Sequence, residues 1–526
     1  MRSTLALTLL LLSCGPTETA HLPPGPDDPA KNLAQLDVFA DRVEREAMRA
    51  SLLGTKPKPF GIRPLLSITD AEVAALNARL HDPRESQCLA AVHSIAVRMQ
   101  SESDPRVAAL LARIAPLRET NAARELAPLL RQLVAARNDW ARERSHLPYL
   151  ELMNGHRGYD PSTASRLEAE VRQALASTTA PPPRAEPAIA ARFDAAHCLE
   201  RASFVFEYLG LPRNAPHLQI RDAAQTGFSI YAFYPIDPPA EQAVTVRAGD
   251  GITPHWSTFH EYGHAAMSLL VEPSSCRTMK RPVSFATSES CAKIAERLFY
   301  AEEWLQSQGV PAAEIASLRD WERENESIRM RGILADIEFE RALYRNPETA
   351  GGNPDTWALK RNLAFEPLAR ADYLLARCAQ AAVYRRLRKL PGGLLGDAAR
   401  KVVRDEVFRG ATAMRFEEWF KRAIGEEPNC RAWLEDVVGW PATVVQWGDR
   451  RPRLSARADG SDRRGRLSPT GSSMSEVHTA TASTYAIGIV SLSSALSRSS
   501  RRANTAFSFP AATPFHASRN PSLMKW

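Results

Sequence analysis

The stretch Phe259-His260-Glu261-Tyr262-Gly263-His264 holds side chains whose types and spacing suit bond-breaking chemistry. On a helix, His260 and His264 are four residues apart and share a face, so both imidazoles can reach one metal ion. Glu261, one step round, can hold a water on that metal. This H-E-x-x-H arrangement is that of a zinc-dependent hydrolase.

A catalytic zinc takes three protein ligands and leaves a fourth position for water. His260 and His264 supply two. The third should be a nearby carboxylate or histidine, and Glu289, 25 residues beyond His264 at the head of the next helical run, is the candidate. Glu296, seven residues further, returns to the same helix face. A carboxylate on an otherwise apolar face needs a partner to justify its burial. A metal serves for Glu289, and a ligand imidazole, approached from behind, serves for Glu296.

These residues resemble the thimet-oligopeptidase-like zinc peptidases, which share a largely helical clamshell with the angiotensin-converting-enzyme type. The resemblance rests on residues 259–264, on Glu289 with Glu296, and on Tyr231-Ala232-Phe233-Tyr234-Pro235-Ile236-Asp237-Pro238-Pro239 just upstream. It extends over about residues 32–439 and is strongest between Phe228 and Leu305. It implies an edge strand carrying Ser229, Tyr231 and Phe233 that pairs with substrate backbone. It also implies that Tyr373, in Asp372-Tyr373-Leu374-Leu375-Ala376-Arg377-Cys378-Ala379-Gln380, donates to the oxyanion. One feature of the pattern is missing: no histidine stands between His264 and His478, so the expected downstream substrate-contacting histidine has no counterpart. Tyr384 and Arg370 are candidates to replace it, and Arg361 stands where it could meet a substrate's C-terminal carboxylate.

The resulting expectation is one Zn²⁺ per chain, held by His260, His264 and Glu289. Glu261 acts as general base and then as acid toward the leaving amine, and Tyr373 shares the oxyanion. The walls of a helical clamshell restrict entry to short or unfolded peptides, so an oligopeptidase or peptidyl-dipeptidase is expected. A lipid-anchored, catalytically impaired peptide-binding protein on the same scaffold is the alternative.

The elements that must position these groups are mainly helical, with a small β-hairpin beside the H-E-x-x-H helix. Helical pattern fills most of residues 32–175, with a capping box at Thr69-x-x-Glu72 and an N-cap plus N1 proline at Asp160-Pro161. A Pro-rich connection spans Thr178 to Pro187, and helical pattern then resumes from about Ile189 to Ala224. Strand character runs from Gly227 to Ile236, a turn follows at 237–239, and Ala243 to Arg247 alternate. Helices are expected at about 257–270, 287–306, 312–343, 368–389, 395–408 and 416–424. This places an N-terminal helical part at about 31–225 and a catalytic part at about 226–447 of a single peptidase domain.

Bulk properties frame this domain. The 526 residues carry a formal charge of +7, but twelve of the 67 basic and three of the 60 acidic residues lie beyond residue 449. The remaining 55 and 57 nearly cancel, so no nucleic-acid partner is expected. Residues 448–526 are crowded with Ser, Arg, Thr and Ala without regular period and read as a disordered tail. At the other end, Met1-Arg2-Ser3, an apolar run to Leu12 and Ser13-Cys14 form a lipoprotein-type signal over residues 1–13. Lipidation is expected at Cys14, with residues 14–30 a flexible tether. The expected location is the bacterial cell envelope, with the membrane contacted only through the lipid. Six further cysteines, without C-x-x-C spacing, read mostly as buried thiols.

Overall fold

Helix signals in the sequence are realised where expected. Thr69 accepts from the Glu72 backbone while the Glu72 carboxylate accepts from Thr69 N, closing the capping box before α2. Asp160 caps Ser162 N, with Pro161 as first residue of α6. The computed structural model describes residues 29–53, 68–182, 184–213, 215, 218–222, 231–272, 276–350 and 353–439. Cys14, the tether up to residue 28 and the tail expected beyond residue 447 lie outside the described residues; Pro29 and Ala30, expected as the end of the tether, open the first helix instead.

Helices of eight residues or more are labelled here. They are α1 (Pro29–Leu53), α2 (Asp70–Asn77), α3 (Pro83–Ser103), α4 (Pro105–Glu119), α5 (Ala123–Ser145) and α6 (Pro161–Ala176) in the N-terminal half. After the sheet come α7 (Ile252–Leu269), α8 (Phe285–Phe299), α9 (Ala312–Arg345), α10 (Ala369–Arg388) and α11 (Phe416–Ile424). The fold is mainly α with one small sheet, as the sequence pattern predicts. The two halves share their cores: α4 and α5 pack with Leu343, Tyr344, Trp357 and Phe365, and α1 and α3 pack with Cys276 and Met279.

The sheet departs from the sequence reading in one respect. The predicted hairpin is present as β2 (Ala232–Asp237) and β3 (Glu241–Val246), paired antiparallel with Phe233 opposite Val244. A further strand, β1 (Leu218–Asp222), pairs parallel with β3, giving the order β1-β3-β2. The sequence reading placed residues 218–222 in a helical run. Proline at 212 and 216 ends that run, and the preceding chain forms only single-turn pieces such as Cys198–Ala202 and Phe204–Tyr208. What makes residues 218–222 a strand is hydrogen bonding to β3, about twenty residues away in sequence, which no local period reveals.

Cysteine usage also differs. Cys88 pairs with Cys276 and Cys378 with Cys430, leaving Cys198 and Cys291 as buried thiols. The first bridge ties α3 to the segment between α7 and α8; the second ties α10 to the chain after α11. Neither pairing is legible from spacing, because the partners are 188 and 52 residues apart.

Candidate active site

α7 and α8 lie against each other at the centre of the molecule, and the contact depends on a glycine. A Cβ at Gly263 would stand 2.6 Å from the Ala295 Cβ and 2.8 Å from the Ala292 Cα. The missing side chain lets the H-E-x-x-H helix close on the helix carrying Glu289. Thirteen of the fifteen α8 residues are buried, and Ser284 caps its start by accepting from Thr287 N.

The close approach brings His260, His264 and Glu289 together, with one ligand atom from each within 4.8 Å of the others. His260 Nε2 is 3.3 Å from Glu289 Oε2, and His264 Nε2 is 3.5 Å from Glu289 Oε1. All three residues are buried. The two imidazoles hold the Glu289 carboxyl well below the usual carboxylate range, against the burial that opposes its ionisation. Burial and Lys293 disfavour a charged His260, yet the carboxylates of Glu289 and Glu296 outweigh them and push it up to about 9.

The donor set fits a cation. Glu289 Oε2 is buried without a hydrogen-bond partner, 3.3 Å from His260 Nε2, while His264 Nε2 faces the other carboxylate oxygen, Oε1. A buried, ionised oxygen with no donor calls for a positive ion. Two histidines and one carboxylate are the ligand types of a catalytic zinc.

The surrounding groups match the sequence reading in part. Glu296 lies behind His260, its Oε2 3.3 Å from Nδ1, as anticipated. Its hydrogen bond, however, is received from Lys293 Nζ at 2.6 Å, a partner the sequence reading missed. Lys293 stands three residues before Glu296 on the same helix, a spacing that allows this bond without deciding it against His260. His264 Nδ1 is held by Ser288 Oγ at 2.9 Å, another contact not anticipated. Burial pushes the Glu261 carboxyl up, only partly opposed by the two imidazoles.

A cleft of about 260 Å³ opens in front of these ligands. Its lining includes His260, Glu261, His264, Glu289, Phe233 and Tyr373. Phe233, on β2, stacks on the His264 ring with centroids 5.9 Å apart and planes 10° from parallel. Tyr373, on α10, meets Phe285 edge-on at 5.9 Å, and burial beside Glu289 pushes its phenol well up. Tyr231 points its hydroxyl at the Arg247 carbonyl, 3.0 Å away, and is not among the lining residues. Ser229 lies outside the described residues.

The suggested stand-ins for the missing histidine are placed elsewhere. Tyr384 is sandwiched between the guanidinium groups of Arg297 and Arg388, and Arg370 pairs with Asp336 at 2.9 Å; neither lines the cleft. Arg361 begins the short helix Arg361–Phe365. The cleft contains another histidine instead. His156 and Arg157 line it from the N-terminal half, on the loop after the short helix Tyr149–Asn154. The sequence carried no sign of this beyond the residue types.

No family model matches this sequence, and no curated protein matches it. Solved structures do match at the level of fold. An M32 carboxypeptidase from Deinococcus radiodurans R1 aligns with a TM-score of 0.52 and 16% identity, covering 78% of this chain and 99% of that one. A Pyrococcus furiosus carboxypeptidase aligns with a TM-score of 0.53 and 13% identity over 78% and 99% of the two chains. The BsuCP structure gives 0.52 and 14%, over 83% and 96%. What is shared is the helical fold; the finer thimet-oligopeptidase assignment rests on sequence motifs alone.

Proposed function

We propose that this chain is a zinc-dependent peptidase acting on short peptides bound beside β2. The observation that carries this reading is the buried cluster of His260, His264 and Glu289, with Glu289 Oε2 unpartnered and Glu261 in the same cleft. Carboxypeptidases among the structures sharing the fold support peptides as the substrate class.

His260, His264 and Glu289 would hold a Zn²⁺, which would supply Lewis acidity toward a water and a scissile carbonyl. Glu261, whose burial strengthens its hold on a proton, takes the water's proton and returns it to the leaving amine. Tyr373 keeps its proton through burial and donates a hydrogen bond to the oxygen that gains charge. Ser288 fixes the His264 ring through Nδ1, leaving Nε2 for the cation. Phe233, stacked on that ring, places β2 at the edge of the reacting groups. The Pro235 and Ile236 carbonyls of β2 are already taken by Arg281, itself paired with Asp41 at 2.7 Å. A peptide pairing with β2 therefore has only the stretch before Pro235 to run along, which favours short substrates.

We also propose export and lipid anchoring at Cys14. Two disulfides favour an oxidising compartment, and among the described residues no helix is long and apolar enough to cross a membrane.

The test is Glu261→Gln. Cleavage of a short fluorogenic peptide should fall about 10²–10⁴-fold while zinc content stays near one per chain. In the wild type a chelator should stop turnover and Zn²⁺ restore it. Cleavage that persists in the variant removes Glu261 from its role as base. Peptide binding without turnover in the zinc-loaded wild type would favour the impaired binding protein.

A further inference from the structure

His156 is delivered to the cleft by a loop built for close approach. Gly158 has φ +74°, and a Cβ there would lie 2.3 Å from the Val283 carbonyl oxygen. Only glycine lets the turn seat against the residues that lead into α8. The Gly158 carbonyl accepts from Phe416 N at 2.9 Å. Arg157 pairs with the wholly buried Asp372, the neighbour of Tyr373, and lies 5.6 Å over the Phe285 ring. These contacts pin the loop to the start of α8, to α10 and to α11.

Hydrogen bonding assigns the tautomer of His156. Its Nδ1 is 3.5 Å from Ser94 Oγ, and Ser94 Oγ donates its hydrogen to the Ala90 carbonyl at 2.9 Å. A hydroxyl has a single proton to give, so Ser94 is left as an acceptor for the imidazole. With the Ser94 hydroxyl committed to Ala90, this contact favours the ring hydrogen on Nδ1 and the lone pair on Nε2. Among the described residues Nε2 has no hydrogen-bond partner, while the ring lines the cleft. The ring is braced by His93, edge-on at 5.0 Å, and His93 is held by Asp70 at 2.9 Å. Asp70 also pairs with Arg144 at 2.6 Å. Burial and His93 push His156 down to about 4, which keeps the ring neutral at ordinary pH.

We propose that His156 Nε2 accepts a hydrogen bond from a backbone N–H of the bound peptide, so that the site selects substrates with an unsubstituted amide at that position. This rests on the peptidase reading above. An acceptor lone pair would repel an oxyanion, so His156 does not take over the role of a missing oxyanion-stabilising histidine. It holds the substrate instead.

The test uses a fluorogenic peptide and a series of analogues, each with one backbone N-methyl group. In the wild type, N-methylation of amides that pair with β2 should lower kcat/KM, and at one further position the loss should depend on His156. His156→Ala should lower kcat/KM for the parent about tenfold, the loss of one hydrogen bond, and abolish the discrimination at that position. His156→Phe keeps a ring against His93 but has no acceptor, and should behave like the alanine variant with zinc content unchanged. Parent kcat/KM within twofold of wild type in both variants, or discrimination retained, overturns the proposal. The same series is measured as binding of labelled peptides to zinc-loaded Glu261→Gln protein, with and without His156→Phe. Discrimination in binding that is lost with His156→Phe, in a protein whose wild type never turns over, sinks the peptidase reading and leaves this one standing. No peptide binding at all sinks both.

Discussion

The two walls of the cleft are built in different ways. The wall with the candidate ligands is made from one contiguous stretch, α7 and α8, whose packing puts His260, His264 and Glu289 on facing surfaces. Its groups are steadied from within that stretch: Ser288 on α8 holds the His264 ring, and Lys293 holds Glu296 behind His260. The other part of the lining, with His156 and Arg157, is assembled from segments around residues 94, 158, 284, 372 and 416. The first wall is specified by helix period and one glycine. The second exists only once the two halves of the chain have docked. A metal needs a fixed ligand geometry, which short-range structure supplies at little cost in order. Substrate contacts can be recruited from anywhere the fold brings near.

The sharpest way to break this contrast is to disable the metal wall alone. Glu289→Gln should drop zinc content far below one per chain and cleavage by on the order of 10³-fold, with far-UV circular dichroism unchanged. Retained zinc by metal analysis would mean the donor set is wrongly assigned. A smaller effect is expected on the other wall. Gly158→Ala forces a Cβ into the Val283 carbonyl at a positive φ and should cost about 2–3 kcal/mol of stability by denaturant titration. KM should rise while zinc affinity holds. If zinc affinity falls in step, the walls are not independent.

The smallest effect concerns the root of α10, where Glu340 accepts from Leu368 N at 3.0 Å. Burial pushes its carboxyl up to about 7, against the Leu368 amide and Arg157. The folded state therefore holds this proton more tightly than the unfolded chain, whose Glu titrates near 4.5. Its contribution to stability is fully present below that value and is lost as pH rises through about 7. Glu340→Gln mimics the protonated form and should raise Tm by a few degrees at pH 8 while changing little at pH 4.5, by calorimetry. An equal shift at both pH values would exclude titration of Glu340 as the cause.

Much of the site was legible because its logic is local. The i, i+4 pair His260 and His264, the adjacent Glu261 and the carboxylate at the head of the next helix follow from a 3.6-residue period. Phe233 on a hairpin strand follows from alternation and a Pro-rich turn. Tyr373 came through resemblance rather than period, and the structure does bring it to the cleft beside Glu289. Neither Tyr384 nor Arg370, the candidates to replace the absent histidine, is among the cleft-lining residues. Both are engaged by charges on neighbouring elements.

By itself, then, the sequence determined the helical class, the hairpin, the His260 and His264 pair and the base beside them, set by repeats a few residues long, while the convergence of Glu289 on that pair needed α7 and α8 to pack. Tertiary structure alone decided that residues 218–222 are a strand, that four cysteines are paired, that Lys293 takes the hydrogen bond of Glu296, and that His156 faces the cleft. The strand, the bridges and the place of His156 depend on partners tens to hundreds of residues away. Lys293 depends on which of two nearby groups wins the Glu296 carboxylate once both are buried. No local pattern records the outcome of either contest.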